Sequence, residues 1–127
     1  MSAASAARKA SAEAEITVIT EDTDIAYSPC AIPWGIEGRT GWDDIVMHDP
    51  SYYEAERDIK VVVRTKVESV DPEARVAVAG GVSYHYDSLV VATGGTVFIP
   101  PIEGKDLGNV FVVRTVRDGK AIQKALA

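Results

Sequence analysis

The sequence predicts an α/β domain in which helices pack on a mostly parallel sheet and an antiparallel β-meander is inserted between strands. Three stretches predict it. An Ala-rich helical segment over residues 1–14 passes within a few residues into a β-branched strand over 15–20, the order found in the second half of a βαβ unit. Two short apolar runs flank Gly80-Gly81, a dipeptide suited to the positive φ angles of a tight hairpin. Four apolar residues at 89–92 end in Thr93-Gly94-Gly95, as expected of a buried parallel strand that runs out into a turn without bulky side chains.

In chain order, residues 2–10 are good helix formers, and Arg8 and Lys9 stand near the end, where cations suit the helix dipole. The strand at 15–20 leads into an acidic turn holding Glu21, Asp22 and Asp24. Tyr27-Ser28-Pro29-Cys30-Ala31-Ile32-Pro33-Trp34 contains the only cysteine of the chain, set between two prolines that restrict its backbone. One thiol closes no internal disulfide, and a single cysteine is most simply a small buried hydrophobe. A short helix opening near Ile32 or Pro33 would instead place Cys30 beside a helix N-terminus, a setting for a reactive sulfur. Residues 36–48 have poor periodicity and predict a loop or a broken helix; Trp34 and Trp42 read as core residues or as cover for a planar ligand.

Asp49-Pro50 is a helix start, with Asp49 as cap and Pro50 in the first turn, and a strand is expected at 60–63. Residues 65–71 alternate as a half-buried strand, Asp71-Pro72-Glu73 turns, and 75–79 and 82–86 complete the meander. After the apolar run at 89–92, residues 99–104 read as rigid extended chain and turn, 110–113 as a strand, and 117–126 as a helix.

Composition narrows the function. The 127 residues with 46% hydrophobic content suit one domain with its own core. A net charge of −6 lacks the basic balance of a nucleic-acid binder. No apolar run approaches the length of a membrane span, and the start lacks the core of a secretory signal, so the expectation is a cytoplasmic chain without a membrane partner. His48, His85 and Cys30 have no metal-ligand spacing, so no metal is expected.

The run from Asp24 through Trp34 resembles the redox loop of the single-cysteine pyridine nucleotide-disulfide oxidoreductases, a group that includes coenzyme A-disulfide reductases, NADH oxidases and persulfide reductases. Tyr86-Asp87-Ser88-Leu89-Val90-Val91-Ala92-Thr93-Gly94 resembles the same family's ATG motif, about 60 residues after the cysteine and directly after a meander. Together the two motifs are far more specific than either. The resemblance implies a Rossmann-type FAD-binding domain over residues 1–127. Ser2-Ala3-Ala4-Ser5-Ala6-Ala7-Arg8-Lys9 is similar to the sequence that follows the family's GxGxxG turn, so the first strand and that turn are expected to be absent, as are the NAD(P)-binding and interface domains. The alternative is that Met1 is the true start and the fold manages without that strand.

Carried over residue by residue, the resemblance implies Cys30 as the redox-active thiol, with FAD and NAD(P)H as cofactors. Glu21 would hold the adenosine ribose, one position later than the family's usual glutamate, and the backbone of Val67 would meet the adenine. Ser28, Pro29, Ala92, Thr93, Gly94 and Arg114 would lie near FAD. Lys9 and Arg8 would face the phosphates of a coenzyme A substrate. The parent activity implied is electron transfer from NAD(P)H through flavin and Cys30 to a small disulfide, persulfide or oxygen species, in a homodimer, with the isolated chain inactive. A ferredoxin- or rubredoxin-reductase-like flavoprotein with an incidental cysteine stays open, as does a non-catalytic nucleotide-binding or interaction module.

Overall fold

The structure, a computed structural model, describes residues 1–126. Its elements are α1 (Ser2–Ala10), β1 (Thr17–Ile19), a 3₁₀ turn (Pro29–Ala31), α2 (Ile32–Glu37), α3 (Trp42–Ile45), α4 (Pro50–Arg57), β2 (Lys60–Val62), β3 (Val67–Asp71), β4 (Val76–Ala79), β5 (Val82–His85) and α5 (Val116–Leu126). They form two compact units. The first comprises residues 1–26 and 48–92, the second residues 27–47 and 93 onward.

In the first unit β1 and β2 pair in parallel, Thr17 with Lys60, Val18 with Val61 and Ile19 with Val62. The ladder runs on through Lys60 N–H to Ile16 O and Thr20 N–H to Val62 O. Ile25, Tyr53, Ile59 and Val61 make the buried cluster, and Met1, Ala4, Val18 and Val63 pack against it. Helix α4 starts as its sequence dictates: the Asp49 carboxylate accepts from Tyr52 N–H at 2.9 Å, and Pro50 occupies the first turn. That bond and one from the Ser51 hydroxyl hold the Asp49 carboxyl below its ordinary pKa. The helix stops at Asp58, whose φ of 49° is left-handed.

Arg8 ties the two helix ends together. Its guanidinium donates to Ser11 O and Ala12 O just past α1, and to Arg57 O and Asp58 O at the end of α4. It also pairs with the Asp58 carboxylate at 3.1 Å, and its side chain is only 15% exposed. The second of these turns leads directly into β2, and the first reaches β1 after residues 13–16.

The meander is antiparallel, in the order β3-β4-β5. Gly80 and Gly81 turn the β4–β5 hairpin with φ of 58° and 74°, both in the region where a Cβ would be strained. The Asp71 carboxylate accepts from the N–H groups of Glu73 and Ala74, closing the β3–β4 turn. A register shift between Val67 and Ser69 marks a bulge in β3.

Two expected strands do not form. Residues 89–92 lie outside both sheets, with Leu89, Val90 and Val91 exposed by 42%, 67% and 72%. Residues 110–113 are likewise outside any sheet, and all four are exposed. Composition favours burial in both runs, but a strand exists only through a paired neighbour, and neither β1–β2 nor the meander takes them in. The strand expected over 15–20 shortens to three residues, and the region 36–48 resolves as a broken helix containing α3.

Candidate active site

The second unit carries the cysteine. Ser28 precedes the 3₁₀ turn with extended backbone, Pro29 opens it, and Ala31 N–H closes it on Ser28 O at 3.0 Å. Cys30 sits in this turn directly ahead of α2, free and exposed, rather than buried as the simple hydrophobe reading would have it. The turn is anchored behind: Ser28 N–H donates to Ile45 O, and Tyr27 bridges to Val46. Ile32 is 1% exposed and Gly35 is buried, while Cys30, Pro33, Trp34 and Glu37 face outward. Sulfur and indole therefore share the open face of a single helical stretch, four residues apart.

Thr93, Gly94 and Arg114 belong to the same unit. Gly94 has a φ of 67°, and a Cβ there would stand 2.6 Å from Arg114 Nη2. The left-handed backbone is what calls for glycine here, since the guanidinium tip ends a flexible, exposed side chain that could step aside. Gly95 has nothing within 4 Å of a Cβ position. The result is an exposed shelf of small residues edged by a cation.

The backbone of Arg114 is held by a capping box at the start of α5. The Thr115 hydroxyl accepts from Asp118 N–H, and the Asp118 carboxylate accepts from the N–H groups of Thr115 at 2.8 Å and Arg114 at 3.1 Å. Partial burial pushes the Asp118 pKa up, but the hydrogen bonds from Thr115 and Arg114 and the charge of Arg117 outweigh it, leaving the group below its ordinary 3.8. A lowered folded-state pKa contributes stability that is full above the unfolded value and lost as the pH falls through the folded one. Asp118→Asn is therefore expected to destabilise the protein by about 1 kcal/mol at neutral pH. The difference should begin to shrink as the pH falls past 3.8 and vanish only below the lower folded-state value, as urea melts of both proteins across that range will show.

The remaining sequence-predicted residues lie in the first unit. Glu21 is exposed in the turn after β1, where Thr20 Oγ1 accepts from Asp22 N–H. Val67 opens β3 and is 38% exposed; Ala92 ends the exposed run before Thr93. Lys9 is exposed on α1, whereas the Arg8 guanidinium is engaged by the two helix ends. No metal-ligand cluster is found among the described residues. No helix among them is long and apolar enough to cross a membrane.

Sequence reasoning missed two features. Thr115 and Asp118 stand at capping-box spacing and could have been read directly. The second, a link from Trp42 to Gln123 and on to Gly35, joins residues 81 and 88 positions apart and leaves no local signal.

A family model described as pyridine nucleotide-disulphide oxidoreductase matches residues 1–127. An NADH oxidase of Methanocaldococcus jannaschii is 48% identical over 98% of this chain and 29% of its own. The NAD(P)H coenzyme A polysulfide/persulfide reductase of Pyrococcus horikoshii is 32% identical over 98% of this chain and 28% of its own. Among solved structures, an NAD-dependent persulfide reductase from A. fulgidus superposes with a TM-score of 0.89 at 26% identity, covering 98% of this chain and 24% of that one. The chain thus spans under a third of the length of these relatives. Matched along its whole length and sharing the α/β fold, it belongs to the pyridine nucleotide-disulphide oxidoreductase family.

Proposed function

We propose that residues 1–127 form the FAD-binding domain of an NAD(P)H-dependent oxidoreductase that reduces a small disulfide, persulfide or oxygen species through Cys30. The observation that carries this reading is the exposed thiol at the head of α2, in the same unit as the Thr93-Gly94-Arg114 shelf. The similarity to an NADH oxidase and to a coenzyme A persulfide reductase supports it.

The residues present fit a flavin nucleotide. The shelf at Gly94 offers backbone without side chains beside an exposed guanidinium, a surface for an electron-rich or anionic group. Ser28 and Pro29, with Ala92, Thr93, Gly94 and Arg114, would contact FAD; the Glu21 carboxylate would accept from ribose hydroxyls and the Val67 backbone would meet the adenine. When bound, that cofactor would supply the two-electron chemistry that side chains lack. Cys30 does the rest as a nucleophile: its thiolate attacks one sulfur of a disulfide, a Cys30 Sγ–S bond forms, and the other sulfur leaves with the electron pair as a thiolate. Lys9 is the exposed cation for a coenzyme A phosphate, and Arg8 holds the turn beside it. The whole protein on this reading is a cytoplasmic homodimer.

A flavin titration tests the reading. The 127-residue chain is expected to bind FAD weakly, with the visible band perturbed only at high FAD, and to show no NAD(P)H-driven turnover by itself. The full-length protein is expected to carry the flavin spectrum as purified. A full-length protein with no flavin band before or after reconstitution would rule the reading out.

A further inference from the structure

We infer that Gln123 and Trp42 are positioning residues for Cys30, acting through α2; the inference rests on the reading of Cys30 as the reacting thiol. Helix α2 has six residues and no side-chain cap, far too short to hold its shape unaided. Its shape comes from α5. Gln123 Nε2 donates to Gly35 O at 2.8 Å, and Gln123 Oε1 accepts from Trp42 Nε1 at 2.8 Å, so one amide is satisfied at both ends.

The Trp42 ring lies against two glycines: a Cβ would stand 2.7 Å from it at Gly35 and 2.6 Å at Gly119. Ile32, two residues after Cys30, packs on the same point, its Cγ2 2.8 Å from a Cβ position on Gly119. Lys120 holds its ammonium 6.0 Å from the ring centroid. Direction of the sulfur is therefore set by a helix more than 80 residues away in sequence, through one indole and one amide. Such coupling is reciprocal in free energy: if α5 orients the Cys30 turn, a group on Cys30 that displaces the turn is felt at the indole.

Trp34→Phe leaves Trp42 as the sole tryptophan, and position 34 is exposed enough to tolerate the change. In that variant Cys30 is capped with methyl methanethiosulfonate: the thiolate takes the methylthio group, a disulfide forms, and methanesulfinate leaves with the electron pair. Trp42 emission is expected to change in step with capping, measured by mass. Gln123→Leu, which removes both hydrogen bonds, is expected to red-shift that emission and to slow exchange of Cys30 with glutathione disulfide about fivefold. Gln123→Glu keeps the acceptor for the indole N–H but sets a carboxylate oxygen against Gly35 O, so the rate should stay low if α2 is the route. Flat Trp42 emission on a fully capped Cys30 overturns the inference, whether or not Gln123→Leu folds, and so does Gln123→Leu reacting at the wild-type rate. Neither measurement uses flavin or NAD(P)H, so failure here leaves the flavin reading standing. A Cys30 that reacts with neither reagent overturns both.

Discussion

Cys30→Ser in the full-length protein is expected to lower disulfide or persulfide turnover by at least about a thousandfold, with the flavin absorbance band unchanged. A serine hydroxyl fills nearly the same space but does not ionise in the working pH range, so the attack on sulfur has no nucleophile. Because Cys30 is exposed and outside the core, the change should leave stability within about 0.5 kcal/mol. Loss of activity can then be assigned to chemistry. Steady-state rates with and without the thiol, beside thermal melts, make the comparison. Turnover surviving within a few-fold would make the sulfur incidental and favour an electron-transfer partner for the flavin over a thiol intermediate.

Gly119→Val is expected to destabilise the second unit by about 3 kcal/mol. Two effects compete. A side chain in place of a mid-helix glycine gains about 0.5–1 kcal/mol of backbone entropy. Against this, the new Cβ would lie 2.6 Å from Trp42 Cη2 and 2.8 Å from Ile32 Cγ2, and Ile32 is buried to within 1%. A rigid indole and a packed isoleucine cannot step aside as a surface lysine would, so overpacking wins. The γ-methyl groups of valine add to the clash. Circular dichroism melts, with Trp42 emission in a Trp34→Phe background as a second probe, will show it; an unchanged or raised midpoint would mean that the indole can vacate its slot.

Local signals translated well. Asp49-Pro50 specified the start of α4 because cap and first turn are chemistry between near neighbours. Gly80-Gly81 specified the hairpin because both positions need positive φ. Of the two settings open to Cys30, a buried position and a helix opening near Ile32 or Pro33, the 3₁₀ turn running into α2 is the second. Non-local requirements did not translate. Leu89-Val90-Val91 has the composition of a buried strand, yet its burial depends on a neighbour that no property of those residues can provide. The Gln123 amide, likewise, is an unremarkable polar position in a helix until Trp42 and Gly35 are placed around it.

The adjacent cations Arg8 and Lys9 have opposite tolerances for change. Five donors on a rigid plane reach four carbonyl oxygens and a carboxylate at position 8, a span that the single ammonium of lysine cannot cover, so even a charge-preserving exchange there would uncouple two chain reversals at once. One residue further on, the same exchange would pass unnoticed by the fold, which leaves position 9 open to be shaped by whatever the surface meets.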